Sequence, residues 1–350
     1  MKIVLVCPYD LGRFGGVQDL VLGLAGWLRN AGHEASVVGP GQGPDGTIGV
    51  GRSRIVSVNG SAAPIALGAG VARRVREAVA GAEVVHIHEP LVPAVSLSAV
   101  RARGPATVGT FHADPSATVR RMYRLAAPAL RRVVRRLDVV TAVSPVAQSA
   151  VAPIVAARLV PNGIDTADFD PRRGKPHRVA FLGRDDPRKG LDVLLAAWPA
   201  VRGALPDAEL VVAAGSRTGE LDGVTFVGGL APDGRRELLA GASVYCAPNL
   251  GGESFGIVLV QAMASQCAIV ASALPAFAHV IGEAGALVKP GDAHGLAATL
   301  VAVLSDDRKR ELLQEAALAR SRRYDGAAVA SAYLAAYADA VDRASARALP

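Results

Sequence analysis

Short runs of β-branched and other apolar residues recur along the chain, and each ends at a turn residue. In the first half they read KIVLVCP, EASVVGP, VVHIHEP, ATVGTFH and VVTAVSP. Amphipathic helical patterns such as VQDLVLGLAGWLRNAGH separate several of them. Continuous apolar strands that alternate with helices are typical of parallel sheets covered by helices on both faces. The pattern therefore predicts a doubly wound α/β fold.

A polar segment with two prolines, residues 164–177, interrupts this alternation, and the strand pattern then restarts with RVAFLGR, AELVVAAG, SVYCAPN and CAIVAS. A chain of 350 residues favours two domains over one. We predict an N-terminal domain over residues 1–168 and a C-terminal domain over residues 169–325. The amphipathic stretch 326–344 is predicted to form one helix that packs back on the N-terminal domain.

The amino-acid composition indicates a globular protein and gives no sign of a membrane span. Apolar residues make up 51% of the chain and charged residues 20%, which is typical of a globular protein. No apolar run reaches the roughly 18 residues of a membrane span, and the first apolar run breaks at Pro8, as a strand would and a signal peptide would not. The three cysteines lie far apart, so we expect buried thiols in the reducing cytoplasm. No residue spacing indicates a metal site, and no cofactor is predicted.

The charge is strongly basic. The formal net charge is +7 and the pI about 9.7, and the arginines cluster at Arg73, Arg74 and Arg76 and again in residues 119–138. Such a surface attracts nucleic acid, anionic lipid or phosphorylated substrates. Aromatic residues make up only 4% of the chain, which argues against base stacking and hence against nucleic acid. An anionic membrane surface and a simply solvated face remain as the two interpretations.

Motifs with possible chemistry follow predicted strands, where ligands bind in open parallel sheets. After the first strand, Gly15 and Gly16 open a predicted helix, so their amides could approach a phosphate closely. The glycines do not form a Gly-x-Gly-x-x-Gly fingerprint. A tight turn is the alternative explanation for them.

The segment FLGRDDPRKG gathers three cations between a strand and a helix. Arg184, Arg188 and Lys189 could together hold a diphosphate, and surface charge that aids solubility is the alternative. Asp186 is predicted to cap the following helix or to pair with Arg188, because Pro187 suits a first helical position.

The segment GGESFGIVLVQAMASQ, residues 251–266, reads as the start of an apolar helix preceded by flexible glycines. Glu253 could accept hydrogen bonds from sugar hydroxyls. On a continuous helix Gln261 would lie two turns further on, on nearly the same side. Backbone N–H groups at such a start are suited to phosphate, and here they belong to Ser254, Phe255, Gly256 and Ile257.

The pattern from Glu253 to Gln261, together with VCPYD, GGVQ, VVHIHEP, TFH and VPNGID, resembles the retaining GT-B glycosyltransferases of family 4 over nearly the whole chain. The resemblance implies two Rossmann-like domains that face a cleft, and a hexosyltransferase that depends on a nucleotide sugar. It further implies transfer of mannose from GDP-mannose to a phosphatidylinositol-type lipid at the inner face of the cell membrane, with the enzyme bound peripherally to anionic lipid.

The resemblance also implies roles for individual residues. Arg184 and Lys189 would neutralise the leaving diphosphate with Arg188 beside them, Glu253 would hold the sugar, and His112 would face the sugar ring. These four residues, Arg184, Lys189, Glu253 and His112, form the predicted catalytic set. Further donor contacts are expected from Gly16, Arg188, Leu230, Arg235, Ser254, Phe255, Gly256, Ile257 and Gln261. Contacts with the acceptor are expected from Tyr9, Gln18 and Asn59.

Two departures from the family pattern matter. Gln261 replaces a second acid that would bind the ribose; because charged hydrogen bonds contribute about 1.5–3 kcal/mol against roughly 1 for neutral ones, we expect weaker donor binding. Val58 and Pro64 replace an aromatic residue and an arginine near the acceptor. Three alternatives therefore stay open: a family 4 enzyme with a soluble acceptor such as inositol phosphate, a nucleotide-sugar isomerase on the same fold, and a non-catalytic binding protein.

Overall fold

The chain forms two compact units in a computed structural model. The first comprises Met1–Gly163 and Gly326–Pro350, and the second comprises Ile164–Asp325. The division falls between residues 163 and 164, whereas the sequence-based prediction placed it between residues 168 and 169. The structure describes the whole chain except residues 14, 59, 60, 67, 69, 103, 349 and 350, and except the side chains of residues 56–58, 61–63 and 348.

The first unit is built around a parallel sheet. Its described strands are β1 (Lys2–Val6), β2 (Glu34–Gly39), β3 (Thr47–Gly49), β4 (Ser53–Val58), β5 (Ser61–Ala66), β6 (Val84–His88), β7 (Ala106–Phe111), β8 (Val139–Ala142) and β9 (Arg158–Leu159). Seven of these strands form one sheet in the order β3-β2-β1-β6-β7-β8-β9, and all neighbouring strands in it are parallel. Strands β4 and β5 form a separate antiparallel hairpin.

Helices cover both faces of this sheet. The described helices are α1 (Gly16–Asn30), α2 (Val71–Val79), α3 (Val95–Val100), α4 (Ala117–Leu125), α5 (Ala127–Val134), α6 (Pro145–Val151) and, from the end of the chain, α13 (Gly326–Ala348). In α1 the apolar residues recur every three or four positions, so one face of the helix is buried. The apolar side chains on the two faces of the sheet form two clusters, one around α1 and α13 and one around α2 and α3.

Helix α13 belongs to the core of the first unit although it follows the second unit in the chain. Tyr333 and Tyr337 are fully buried beside strands β1, β6 and β7. Its first residue, Gly326, packs against Trp27 so closely that only glycine fits: a Cβ atom there would lie 2.2 Å from Cε2 of Trp27.

The second unit repeats the architecture with a parallel sheet in the order β12-β11-β10-β13-β14-β15. Its described strands are β10 (Lys175–Leu182), β11 (Glu209–Ala213), β12 (Val224–Phe226), β13 (Ala242–Ala247), β14 (Ala268–Ser272) and β15 (Ala286–Val288). Its described helices are α7 (Leu191–Ala204), α8 (Pro232–Ala240), α9 (Ile257–Ala264), α10 (Pro275–Ile281), α11 (Ala293–Leu304) and α12 (Asp307–Ser321). Both units are thus doubly wound α/β structures, as the sequence predicts.

Strands β10 and β13 are neighbours at the centre of the second sheet, where the order of the strands reverses. In open parallel sheets ligands bind outside the carboxyl ends of the strands at such a point. The loops that follow these two strands contain the motifs FLGRDDPRKG and NLGGESFG.

Candidate active site

Two loops of the second unit meet at the carboxyl ends of β10 and β13. The backbone N–H of Leu250 donates to the carbonyl oxygen of Arg188 at 2.8 Å. Gly190 has a positive φ of 72°, and a Cβ atom there would lie 1.9 Å from the carbonyl oxygen of Pro248. Only glycine allows this approach. The close contact holds the cation-bearing loop against the loop that carries Glu253.

Glu253 lies between a cation and an amide. Its Oε1 accepts a hydrogen bond from Nζ of Lys189 and another from Nδ2 of Asn249, the latter at 2.8 Å. The side chains of Glu253 and Lys189 are only 16% and 25% exposed, so the pair is partly withdrawn from water. The sequence motifs did not point to the Asn249 side chain. Its position two residues after the buried strand β13 was the available signal for a functional side chain.

Helix α9 begins at Ile257, four residues after Glu253. The expectation that Glu253 and Gln261 share one continuous helix is therefore wrong. Gly256 directly precedes the helix in a left-handed conformation, φ 94°, and the ring of Phe277 leaves no space for a side chain there. Gln261 lies in the second turn of α9 and is half-buried, and its side chain makes no hydrogen bond within the described residues.

The backbone between Glu253 and α9 offers several hydrogen-bond donors. Within the described chain, the N–H groups of Ser254, Phe255, Gly256 and Ile257 donate no hydrogen bond. Phe255 itself is 2% exposed, and its ring packs edge-on against Tyr324, with ring centroids 5.7 Å apart. The side chain of Phe255 is thus part of the core, and only its backbone N–H group is left to bind a ligand. Such a helix start suits an anionic group.

Asp186 and Arg188 form a closed pair. The Arg188 guanidinium donates to both carboxylate oxygens of Asp186, the shortest contact being 2.7 Å. Asp186 also accepts from the backbone N–H of Arg188 at 3.0 Å and caps the short 3-10 helix Pro187–Lys189. These hydrogen bonds from Arg188 lower the pKa of Asp186 to about 2. The predicted cap and the predicted pairing with Arg188 are both confirmed.

Arg184 is the exposed cation of this site. It lies between the end of β10 and Asp186, and its guanidinium makes no ion pair within the residues that the structure describes. The neighbouring Asp185 contacts Arg217 at 3.5 Å. The three predicted cations therefore differ: Lys189 is paired with Glu253, Arg188 with Asp186, and Arg184 points to solvent.

Leu230 lies in the loop between β12 and α8, and Arg235 lies in the first turn of α8. The Nε atom of Arg235 donates to the carbonyl oxygen of Leu230 at 2.9 Å. Leu230 is half-buried and Arg235 is exposed. A contact of either residue with the donor stays a prediction.

In the first unit, α1 begins at Gly16 as predicted, directly beside open space. A Cβ atom at Gly16 would meet no described atom within 4 Å, so packing does not require glycine there. At Gly15, by contrast, a Cβ atom would lie 2.4 Å from Oε1 of Gln18. Gln18 is buried and donates to the carbonyl oxygen of Asp10 at 3.4 Å. Gln18 thus supports the loop before α1, and its predicted contact with an acceptor stays untested.

His112 belongs to a buried group of histidines. Its Nε2 lies 2.8 Å from Nδ1 of His88, and the His88 ring lies tilted against that of His86, with centroids 4.2 Å apart. His86 in turn contacts the hydroxyl of Tyr337 at 2.8 Å and that of Thr110 at 2.6 Å. Burial lowers the pKa of His112 to about 4 and that of His86 to about 3. These rings are therefore neutral at pH 7 and do not act as cations.

The structure adds Glu89 to this group, a residue that sequence reasoning passed over. Glu89 is 5% exposed, and its Oε1 accepts the backbone N–H groups of His112 and Ala113, both at 2.8 Å. Burial raises the pKa of Glu89 to about 7. Tyr9 and Tyr123 lie near it, and the pKa of Tyr9 is raised by burial and by this carboxylate. The only sequence signal was an acid placed directly after a strand end.

The remaining acceptor predictions fall on the β4–β5 hairpin. Asn59 lies outside the described residues, and so does the side chain of Val58. Pro64 is half-buried, and its carbonyl oxygen accepts the backbone N–H of Asp10 at 2.9 Å. This bond ties the hairpin to the loop that carries Tyr9.

The arginine clusters lie on helices of the first unit. Arg73, Arg74 and Arg76 on α2 are exposed. Helix α4 has no buried residue, and it exposes Met122 by 56% and Leu125 by 74%. The exposed arginines on and after α4 and α5 are Arg121, Arg124, Arg131, Arg132, Arg135 and Arg136. None of the helices in the described part of the chain has both the length and the hydropathy needed to span a bilayer.

Two family models match the chain. Residues 14–168 match the model described as Glycosyltransferase Family 4, and residues 176–306 match the model described as Glycosyl transferases group 1. The chain is also 39% identical over 366 residues to the phosphatidyl-myo-inositol mannosyltransferase of Mycolicibacterium smegmatis, which covers 96% of this chain and 93% of that protein. The chain belongs to glycosyltransferase family 4. The predicted family and enzyme class are confirmed, and the protein is a retaining, nucleotide-sugar-dependent glycosyltransferase.

Further relatives agree with this assignment. The phosphatidyl-myo-inositol mannosyltransferase of Propionibacterium freudenreichii is 37% identical, with 96% of this chain and 94% of that protein covered. A GDP-mannose-dependent alpha-(1-6)-phosphatidylinositol monomannoside mannosyltransferase of Mycobacterium tuberculosis is 32% identical over 41% of this chain and 47% of that protein. The solved structure of Anabaena HepE with UDP and glucose matches with a TM-score of 0.74 and 18% identity, covering 97% of this chain and 99% of that one, and it shows the fold alone. The predicted GT-B fold class is confirmed.

Proposed function

We propose that this family 4 glycosyltransferase moves mannose from GDP-mannose to a phosphatidylinositol-type lipid. The observation that carries the donor half of the proposal is the position of Glu253, which Lys189 and Asn249 hold beside the unpaired amides before α9. A carboxylate can accept sugar hydroxyls there while the amides and cations hold the diphosphate. The names of the relatives support mannose as the sugar and phosphatidylinositol as the acceptor class.

We assign the nucleotide sugar to the second unit and the acceptor to the first. The bond between the anomeric carbon and the phosphate oxygen breaks, and the leaving diphosphate gains negative charge that Arg184 and Lys189 stabilise. The acceptor hydroxyl attacks the anomeric carbon from the same face, and its proton passes to the departing phosphate oxygen. His112 is neutral, so its role is a hydrogen bond to the sugar rather than a positive charge.

We further propose that the arginine surface, defined by the exposed arginines of α2, α4 and α5, binds the inner face of the cell membrane. Met122 and Leu125 are exposed among these arginines on α4, so an apolar contact with lipid accompanies the charge. Binding to anionic lipid weakens as salt rises, because screening shortens the range of the attraction.

The deciding experiment incubates the protein with GDP-mannose and vesicles of phosphatidylinositol, and identifies the product by mass. We expect mannosylated lipid, and none with Glu253→Gln. Product formed only with soluble inositol phosphate would support the alternative family 4 activity. A nucleotide sugar that changes without any acceptor would point to an isomerase. Nucleotide binding with no conversion in any of these mixtures would support the non-catalytic alternative.

The membrane part is tested separately by co-sedimentation with phosphatidylinositol vesicles at increasing salt. Arg121→Glu should weaken binding, whereas Arg308→Glu, an exposed arginine of the second unit, should leave it unchanged. Binding that is independent of salt, or equal losses in both variants, would contradict the proposed surface.

A further inference from the structure

Glu89 is a buried carboxylate that the proposed reaction does not yet use, and it lies directly behind His112. Its Oε1 binds two consecutive backbone N–H groups, those of His112 and Ala113, at 2.8 Å each. A single carboxylate oxygen thus fixes the backbone of the His112 turn.

The backbone at Glu89 is held in an unfavourable conformation. Its N–H donates to the carbonyl oxygen of Thr110 at 2.8 Å, which extends the pairing of β6 with β7 by one residue. At Glu89 the chain then turns with a positive φ of 49°. Residues other than glycine rarely adopt this conformation, and those that do are concentrated at functional sites. In this conformation the Glu89 carboxylate contacts the His112 turn and is withdrawn from solvent.

His88, the residue before Glu89, contacts the ring of His112. His88 Nδ1 lies 2.8 Å from His112 Nε2, and His88 Nε2 is buried with no partner in the described residues. Because an unpaired buried N–H group is rarer than an unpaired acceptor, we assign the proton of His88 to Nδ1. His88 then donates to His112 Nε2, and His112 keeps its own proton on Nδ1. The ring thus offers an N–H donor and not a lone pair.

We propose that Glu89 is a positioning residue for sugar transfer. It fixes the backbone of His112 and Ala113 so that the His112 ring, held by His88 from the other side, stays at the position from which it would contact the sugar. The inference rests on the proposed role of His112 at the sugar ring.

Asp138 offers a matched control because it is a buried carboxylate with a purely structural setting. It is 7% exposed, and its Oδ2 accepts the backbone N–H of Thr107 at 2.8 Å and the Thr107 hydroxyl at 2.9 Å. Thr107 lies near the amino end of β7, whereas His112 follows the carboxyl end of the same strand. Removing either carboxylate leaves unpaired amides on β7 or its continuation, but only Glu89 lies at the predicted site.

The experiment compares Glu89→Ala, Glu89→Gln, Asp138→Ala and His112→Ala for kcat, for the KM of GDP-mannose, for GDP binding and for thermal stability. We expect Glu89→Ala to lower kcat about 10- to 100-fold, because small displacements of positioning groups have effects of that size. GDP binding should not change. Glu89→Gln should recover most of the loss, since an amide oxygen accepts the same two N–H groups. Asp138→Ala should lower stability and leave kcat within about threefold of the wild type.

The outcomes separate the inference from the proposed function. If His112→Ala keeps full activity, the role of His112 is wrong and the proposal for Glu89 is wrong with it. If His112→Ala abolishes transfer while Glu89→Ala lowers kcat no more than Asp138→Ala does, only the role of Glu89 is wrong. Should Glu89→Ala fail to fold, Glu89→Asp decides: it keeps the carboxyl group but withdraws the oxygen from the amides, and an unchanged kcat would overturn the proposal.

Discussion

The two units place polar groups at equivalent ends of similar sheets, but they treat charge in opposite ways. In the first unit, the histidines and Glu89 are buried, and burial moves each pKa toward the neutral form. In the second unit, Lys189 pairs with Glu253 and Arg188 with Asp186, and the side chains remain partly exposed. One site is built from neutral donors and acceptors, and the other from paired ions.

The difference follows from what each site would bind. A sugar ring and an acceptor hydroxyl are neutral, and neutral hydrogen bonds that are dry and fixed in direction orient them well. A departing diphosphate gains charge, and only groups that are already charged can stabilise it without reorganising. The comparison therefore predicts opposite pH dependences in the two units: the stability that Glu89 contributes is lost at high pH, whereas the stability that Asp186 contributes is lost in acid.

The largest effect is expected at Arg184. Arg184→Ala should lower kcat by about 10²–10³-fold, about 3–4 kcal/mol, because its charge is needed most when the diphosphate leaves. GDP should bind with only a modest loss. Steady-state kinetics and calorimetry measure both quantities. Arg217→Ala, a variant of an arginine on the neighbouring strand end that pairs with Asp185 and Asp192, is the control and should keep kcat. An equal loss in binding with unchanged kcat would contradict the role of Arg184.

The next effect concerns stability and Glu89. Burial raises the pKa of Glu89 from 4.5 to about 7, so its contribution to stability is fully present below about pH 4.5 and is lost as pH rises through about 7. Glu89→Gln cannot ionise. It should therefore be more stable than the wild type at pH 9, by about 2–3 kcal/mol, and equally stable at pH 4. Denaturant unfolding at several pH values tests this, and a difference that does not depend on pH would show that folding does not raise the pKa of Glu89.

A smaller effect is expected at Gln261. Gln261→Glu is nearly isosteric and gives the second turn of α9 a charged acceptor for the ribose. GDP should bind more tightly by about 1–2 kcal/mol, the difference between charged and neutral hydrogen bonds. The kcat at saturating donor should barely change, because the ribose does not change charge in the reaction. Calorimetry with GDP measures the first quantity, and weaker binding would show that Gln261 does not face the ribose.

The smallest effect is expected at Asp186, and it has the opposite sign to that at Glu89. Hydrogen bonds from Arg188 lower the pKa of Asp186 from 3.8 to about 2, so its contribution to stability is present above about pH 3.8 and is lost as pH falls through about 2. Asp186→Asn keeps a side chain able to cap the 3-10 helix. It should lower stability at pH 7 by less than about 1 kcal/mol, because the Arg188 partner is 43% exposed. Urea unfolding at pH 7 and pH 2 tests whether the difference disappears in acid.

The fold was predictable because its signals are local. Continuous apolar strands and amphipathic helices follow from residue periodicity, and Asp186 with Pro187 marks a helix start within three residues. Both features appear in the structure. The start of α9 was not predictable in this way. Gly256 ends the preceding segment through a left-handed conformation and through the ring of Phe277, which lies 21 positions further along the chain.

The contacts of the candidate site depend on pairs that are distant in sequence. Lys189 and Glu253 are 64 residues apart, and Glu89 and His112 are 23 apart. Each residue was visible as a polar group at a strand end, but the sequence contains no sign of which strand ends are neighbours. The pairing of β10 with β13 and of β6 with β7 supplies that information. The resemblance to a family assigned site roles to His112 and Lys189, and it assigned no role to Glu89.

The order of the two units along the chain determines when the first unit can finish folding during synthesis. Tyr333 and Tyr337 fill the core beside β1, β6 and β7, yet they leave the ribosome after every residue of the second unit. Domains usually fold in the order in which they are synthesised. Here the second unit is complete first, and the nascent N-terminal unit waits with an unfilled core until α13 emerges. A premature stop near residue 325 would therefore leave the second unit complete and the first unit without α13.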